Sequence, residues 1–324
     1  MAQGERIVVT GAAGFIGSQL VERLLHRGNE VIGIDNFDPF YSPAEKRENL
    51  TPSLGNRSFR MIEADCADLD ALNRALSDAP IDVIVHLAAK AGVRPSIEDP
   101  MGYARANIVG TQSVLEVARQ RGISRVVFGS SSSVYGNADR VPFVETDAAA
   151  SPVSPYAATK RAGELLCHTY HQLHGMTIHA LRFFTVYGPR QRPDLAIRKF
   201  TQLMLRDDPI PMFGDGETER DYTWVDDILQ GVEASIARTR TNAGEFEIIN
   251  LGESRTTTLR RLIDLLGEAI GRTPKINRLP PQAGDVQRTF ADVSKAKALL
   301  GYAPTTPIEE GIPRFVRWFR DRTR

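Results

Sequence analysis

The chain has 324 residues, 42% hydrophobic and 25% charged, the balance of a water-soluble globular protein with room for a large core and two lobes. Lysine plus arginine and aspartate plus glutamate each total 40, so no basic excess directs the protein to nucleic acid or to an anionic membrane surface. Two cysteines, Cys66 and Cys167, are too few for a disulfide framework and suit a reducing cytoplasm; no apolar leader opens the chain, and no run reaches the ~20 apolar residues of a membrane span.

Arg6 to Thr10 is a short β-branched run and reads as a buried strand. The turn Gly11-Ala12-Ala13-Gly14-Phe15-Ile16-Gly17 follows, then a helical pattern over Ser18 to Arg27 closed by Gly28, then a strand from Glu30 that ends in Asp35. Strand, glycine turn, helix, strand and terminal acid form a dinucleotide-binding βαβ unit. Glycines admit the pyrophosphate to the backbone, and the helix N-terminus offers N–H donors and a positive dipole. Asp35, followed by Asn36, stands where a carboxylate bonds both ribose hydroxyls and repels a 2′-phosphate, which favours NAD over NADP.

Phe59 to Glu63 is a third strand, followed by Ala64-Asp65-Cys66 and a helix over Asp68 to Leu76. Asp65 is either an acceptor for the adenine amine or an exposed loop acid. Ile81 to Leu87 is a fourth strand, and small residues after it, Ala88 and Ala89, let a cofactor pass close to the strand end. His86 lies within this apolar strand and reads as a core histidine. Asp99-Pro100 begins a helix that runs to about Gln120 and carries Asn107; Arg125 to Phe128 is a fifth strand, and Thr177 to Phe183 a sixth. This alternation implies a parallel, doubly wound α/β sheet.

The fifth strand delivers a serine turn, Gly129 to Gly136, to the sheet edge where such folds bind ligands. A helix over Tyr156 to His174 then places Tyr156 and Lys160 one turn apart on one face. Phenol, ammonium and a nearby hydroxyl make a general acid/base device. A tyrosine that titrates near ~10 needs its pKa lowered by ~3 units, or ~4 kcal/mol, to act as a base at neutral pH. One cation ~5 Å away at an effective dielectric of ~20 contributes ~3 kcal/mol, so Lys160 and a second charge, that of an oxidised nicotinamide, suffice together.

After Phe184 the loops lengthen and carry Pro, Gly and Arg, which marks a smaller C-terminal α/β lobe over residues 185–324, with parts of 220–250 returning to the first domain, 1–184. Two helices stand out there, Leu259 to Ile270 and one from about Pro307 behind a Thr306/Glu309 capping box.

The glycine turn, the serine turn with Val134-Tyr135-Gly136, the Tyr156-x-x-x-Lys160 pair and Arg220-Asp-Tyr-Thr-Trp-Val-Asp-Asp227 together resemble the extended short-chain dehydrogenase/reductase family over almost the whole chain. That resemblance implies a Rossmann-type fold, bound NAD and a UDP-sugar substrate. Two stretches, Asp35 to Tyr41 and Leu181 to Asp194, look like UDP-glucuronate 4-epimerases. By family position the catalytic residues are Ser131, Tyr156 and Lys160. Those expected on the cofactor are Gly11, Gly14, Phe15, Ile16, Gly17, Asp35, Asn36, Asp65, Cys66, Leu87, Ala88, Ala89, Asn107, Tyr156, Lys160 and Phe184.

On the sugar nucleotide the expected set is Arg94, Ser131, Ser132, Ser133, Thr185, Arg192, Lys199, Phe213, Arg220, Gln282 and Asp285. Thr185, Ser132 and Ser133 offer neutral donors to a C6 carboxylate, and Arg192 a bidentate one, the alternative being a solvated surface arginine. Lys199 and Arg220 are candidates for the diphosphate and Phe213 for the uracil, with salt-bridged surface and core aromatic as the bland alternatives. Dehydratases of the family carry Asp-Glu where Ser132-Ser133 stand, and decarboxylases usually keep Glu at the position of Ser133, so oxidation and re-reduction at C4 is the expected chemistry. No metal site is expected. The remaining alternatives are a UDP-glucose 4-epimerase, a UDP-glucuronate decarboxylase and a silent NAD-binding regulator. The helices Pro100 to Gln120 and Tyr156 to His174 correspond to the family's usual dimer face, though their apolar residues serve equally as core.

Overall fold

The computed structural model describes residues 4–77, 80–138, 140–280 and 286–323. Its first six strands are β1 (Arg6–Thr10), β2 (Glu30–Asp35), β3 (Phe59–Glu63), β4 (Val83–His86), β5 (Arg125–Ser131) and β6 (Thr177–Phe183). Seven more follow: β7 (Thr185–Tyr187), β8 (Ile210–Phe213), β9 (Glu219–Arg220), β10 (Tyr222–Trp224), β11 (Phe246–Leu251), β12 (Thr257–Thr258) and β13 (Ile276–Leu279). The main sheet is parallel throughout, in the order β11-β6-β5-β4-β1-β2-β3. The chain leaves β1 to build β2 and β3 on one side and then β4, β5 and β6 on the other, so a crevice opens between the carboxyl ends of β1 and β4.

Both faces of the sheet's centre are covered, which explains why β1 and β4 read as apolar runs. Along the strands alternate residues go to opposite faces. Val9, Val85, Val127 and Leu181 pack on one side, with Leu20 and Leu24 of the Phe15–His26 helix and Ile228 and Val232 of the Val225–Thr241 helix. Val8, Ile84, Val126 and Ile178 pack on the other, with Leu72, Val114 and Cys167. The first of these cores runs without a break into the second lobe through Tyr187, Phe200, Met212, Trp224, Leu262 and Phe315. Strand β11, from late in the chain, returns to the edge of the main sheet beside β6.

The join between β6 and β7 is a single residue. Phe184 N–H donates to the Leu251 carbonyl at 3.0 Å, and the next amide, that of Thr185, donates to the Asp221 carbonyl at 3.0 Å. Consecutive amides therefore serve different sheets, since β7 pairs in parallel with β10.

Three expectations change in detail. Strand β5 continues to Ser131, so Ser131 closes the strand and Ser132–Tyr135 form a 3₁₀ turn. The helix expected from Pro100 to Gln120 has a π-helical middle, Ala104–Val109, between α-helical Pro100–Tyr103 and Gly110–Gln120. The capping box at Thr306 is not formed: its backbone N–H, which Glu309 would accept, goes to Asp227 Oδ2 at 3.1 Å. Helices Pro43–Leu54, Val93–Glu98, Ala196–Leu205, Val225–Thr241 and Ser294–Leu300 add to those read from the sequence. No helix among the described residues is long and apolar enough to cross a membrane.

Candidate active site

A cleft of about 480 Å³ follows the carboxyl edge of the sheet and is walled by both lobes. At one end lies the glycine turn. Gly11 takes φ 70°, and a Cβ there would stand 2.8 Å from Ala88 N; one on Gly17 would stand 2.0 Å from the Gly11 carbonyl oxygen. The turn is thus packed backbone against backbone. Gly14 precedes the Phe15–His26 helix in extended conformation and gives it no side-chain cap, which leaves the helix N-terminus open to an anion.

Asp35 ends β2 on this wall. Its carboxylate accepts from Ala13 N at 3.1 Å and Phe37 N at 2.8 Å, with Phe37 held at φ 50°. Burial raises the Asp35 pKa, while the Lys46 ammonium and the two N–H groups oppose that shift. Lys46 is buried, donates to the Asp38 carbonyl at 2.9 Å and lies 4.8 Å over the Tyr41 ring. The Tyr41 hydroxyl is buried and meets no partner among the described residues. Asp38, Phe40, Tyr41 and Lys46 all line the cleft, and sequence reasoning missed them as site residues. The signal was present, because the Asp35–Tyr41 run was already distinctive.

Ile16, Asn36, Asp65, Cys66, Leu87, Ala88, Ala89 and Phe184 line the same cleft. Asp65 receives Arg105 at 2.6 Å and the Ala67 N–H at 2.9 Å, and burial pushes the Cys66 thiol up to about 12. Asn107 is set back from the lining. Its amide is spent on Lys90 N, Lys90 O and Thr159 Oγ1 at 2.8, 2.9 and 2.9 Å, so it fastens the loop after β4 to the helix that carries Tyr156.

Ser131, Tyr156 and Lys160 come together in the middle of the cleft. Ser154 caps their helix by accepting from Ala157 N, Pro155 opens it, and Gly175 closes it in left-handed conformation. The Lys160 ammonium donates to the Gly129 carbonyl at 2.7 Å, and burial lowers its pKa to about 8. Desolvation raises the Tyr156 phenol, and the opposing influences in this structure are the Ser131 hydroxyl and the Arg192 guanidinium. Through its bond to Gly129 the Lys160 ammonium also fixes the end of β5. Ser131 Oγ lies 2.5 Å from Ser133 Oγ.

Behind them is a charge cluster that the sequence did not announce. Glu164, one helical turn past Lys160, accepts from Ser130 Oγ at 2.7 Å, from Arg182 at 2.8 and 2.9 Å and from Arg161 at 2.9 Å. Arg182 in turn stacks 4.6 Å over the Tyr135 ring.

Ser132, Ser133, Thr185, Arg192 and Arg220 also line the cleft. Arg192 pairs with Asp194 and lies 5.1 Å over the Phe40 ring. Arg94, Lys199 and Phe213 fall outside the lining: Arg94 stacks 4.8 Å over Phe213, and Lys199 is exposed. Gln282 and Asp285 lie outside the described residues. Chemically, the centre can pass a proton between a ligand hydroxyl, Ser131 and Tyr156, and the serine turn holds no carboxylate that could drive an elimination.

The model of the family described as GDP-mannose 4,6 dehydratase matches residues 8–315. A UDP-glucuronate 4-epimerase from Thermodesulfobacterium geofontis is 40% identical over 97% of this chain and 96% of its own length. Among solved structures, UDP-glucuronic acid 4-epimerase from Bacillus cereus, in complex with UDP-glucuronic acid and NAD, superposes with a TM-score of 0.90 at 38% identity, covering 98% of this chain and 99% of that one. UDP-glucose 4-epimerase from Thermotoga maritima, bound to UDP-glucose, gives 0.89 at 34% identity over 98% of this chain and 100% of that one. With a seven-stranded parallel sheet, a glycine turn at its crevice and a Tyr-x-x-x-Lys pair beside it, this chain belongs to that family and to the extended short-chain dehydrogenase/reductases.

Proposed function

We propose that the protein is an NAD-dependent 4-epimerase that interconverts UDP-glucuronate and UDP-galacturonate. The observation that carries this reading is the sugar end of the cleft, where a guanidinium (Arg192) and three hydroxyls (Ser132, Ser133, Thr185) surround the Tyr156 region with no acid in the serine turn. NAD fits the other end: the Gly11–Gly17 cradle has no room for a Cβ, the helix N-terminus is uncapped, Asp35 presents a carboxylate, and the orphaned Tyr41 hydroxyl awaits an acceptor. Those residues hold the cofactor together with Leu87 to Ala89, Asn36, Asp65 and Phe184.

Bound NAD supplies the hydride acceptor and donor for C4 of the sugar. Tyr156 removes the proton of the 4-hydroxyl and later returns one, with Ser131 bridging phenol and sugar. Arg192 favours the phenolate from one side, and Lys160 holds the Gly129 carbonyl so that Ser131 keeps its place. The 4-keto uronate is a β-keto acid, prone to lose carbon dioxide when its C5–C6 bond lines up with the ketone. Arg192, Thr185 and the serines oppose this by binding the carboxylate out of that alignment. Arg220 lies where it can meet the diphosphate.

Incubating the protein with UDP-glucuronate and, separately, with UDP-glucose tests the reading. Conversion of the acid alone is expected; conversion of the neutral sugar alone removes the carboxylate argument, and release of carbon dioxide points to a decarboxylase.

Residues 1–184 with the helix Val225–Thr241 and strand β11 form the cofactor unit, and the rest of 185–324 the sugar unit. The protein is a cytoplasmic homodimer, a reading supported by exposed apolar side chains near and along the two long helices: Ile97, Met101, Val109, Leu165 and Leu173 are 52, 79, 47, 52 and 70% exposed. A single-chain mass by light scattering removes the dimer.

A further inference from the structure

Arg192 can bind a carboxylate usefully only if its guanidinium is aimed. The backbone around it is already fixed. Gln19 Nε2 donates to the Pro189 carbonyl at 3.0 Å, Arg190 pairs with Glu22 at 2.6 Å, and Arg198 donates to the Gln191 carbonyl at 2.7 Å and to Glu45 at 2.9 Å. What remains free in such a loop is the arginine side chain itself, which has four rotatable bonds. Asp194 removes that freedom. Its two oxygens accept from Arg192 Nε at 3.0 Å and Nη2 at 2.7 Å, and Phe40 lies under the guanidinium plane.

A guanidinium has a side edge, Nε with Nη2, and an end edge, Nη1 with Nη2. Asp194 occupies the side edge, and Arg192 Nη1 donates to no described residue. Arg192 lines the cleft, whereas Asp194 is not among the lining residues.

We propose that Asp194 is a positioning residue for substrate selection: it clamps Arg192 by the side edge so that the end edge meets the C6 carboxylate of the sugar. This deepens the epimerase reading above and rests on it. Because Asp194 also balances the charge of Arg192, the pair attracts a carboxylate through directed hydrogen bonds more than through net charge. Recognition then depends on aim, and a misaimed carboxylate is free to align with the ketone. In that case the C5–C6 bond breaks, its electron pair forms an enolate over C5, C4 and the ketone oxygen, C6 leaves as carbon dioxide, and C5 takes a proton from water.

The test compares wild type, Asp194→Asn and Asp194→Glu with NAD present, measuring KM for UDP-glucuronate, binding of UDP, and carbon dioxide released per epimerisation. Asp194→Asn should raise KM about tenfold and the carbon dioxide fraction several-fold, with UDP binding unchanged, since misplacement of a recognition group costs up to ~10²-fold. Asp194→Glu, which keeps both acceptor oxygens, should recover most of the KM. If Asp194→Asn leaves KM and the carbon dioxide fraction alone, or lowers KM, then Asp194 is a bystander or a competitor for Arg192 and the proposal falls. An equal loss of UDP binding marks a damaged loop and also overturns it. Failure of the wild type to turn over UDP-glucuronate removes the epimerase reading itself, a result readily told apart from the others.

Discussion

Tyr156 is caught between opposing influences: its surroundings raise the phenol pKa, and Ser131 and Arg192 draw it down. Removing only the hydroxyl tests whether it is the base. Tyr156→Phe should cut turnover by about 10²–10⁴-fold while NAD binding, followed by fluorescence titration, stays within twofold of wild type; full activity in this variant would sink the mechanism. Lys160 gives a pH signature. Lowered to about 8, it is an ammonium below that pH and loses its charge above it, and with the charge goes the charge-assisted strength of its bond to Gly129. The pH profile of kcat/KM should therefore have its high-pH limb near 8, and a flat profile to pH 10 would contradict this. At this scale spacing singled out Asp35, Tyr156 and Lys160 and family position singled out Ser131, and all four line one cleft. The sequence marked the stretches that end in Tyr41 and Asp194 as distinctive but gave those two residues no role, because a contact made across a loop or a hydroxyl turned into a cleft leaves no period in the sequence.

The helix Pro155–His174 serves the site through the buried Glu164 as well as through Tyr156 and Lys160. The Glu164 and Arg182 side chains are 0 and 1% exposed, so removing one partner strands the other charge in the interior. Glu164→Ala should destabilise the protein by roughly 3–5 kcal/mol in urea unfolding, and a change under ~1 kcal/mol would show that the cluster is not coupled to the fold. Six main-sheet strands were legible because their apolar residues are bounded by turn signals, whereas β11 was not read as a strand. The helices Pro155–His174 and Leu259–Ile270 were legible from their caps and glycine stops, and Val225–Thr241, which has no side-chain cap, was not. The π-helical Ala104–Val109 was not, since its composition is that of any helix and the widening accompanies Asn107, whose bonds reach Lys90 and Thr159 far along the chain. The short helices and two-stranded pairs of the second lobe were illegible for a related reason. They are held by contacts to a core assembled from both lobes and carry little periodicity of their own.

Across the whole molecule, acid should act through the interior. His86 is 2% exposed, lies 2.7 Å from Thr10 Oγ1 and 3.1 Å from Thr111 Oγ1, and burial lowers its pKa to about 3. An unfolded histidine titrates near ~6.5, so between these values the unfolded chain binds the extra proton. The contribution of neutral His86 is therefore fully present above pH ~6.5 and is lost progressively as pH falls toward 3. Melting temperature should decline over that window, and His86→Gln should flatten the decline; identical acid profiles for the two proteins would clear His86 of the role.

The single residue between β6 and β7 bears on how the reaction must run. Phe184 spans the gap between the sheet that carries the cofactor end of the cleft and the strand that carries Thr185, and both neighbouring amides are tied down. One residue of extended chain covers only ~3.3 Å, so Phe184 works as a ruler that sets the separation of the two ends and forbids a hinge at this point. A catalyst that must reduce the opposite face of the same carbon then has one moving part left. At this crossing the protein keeps still while the sugar turns over beside it.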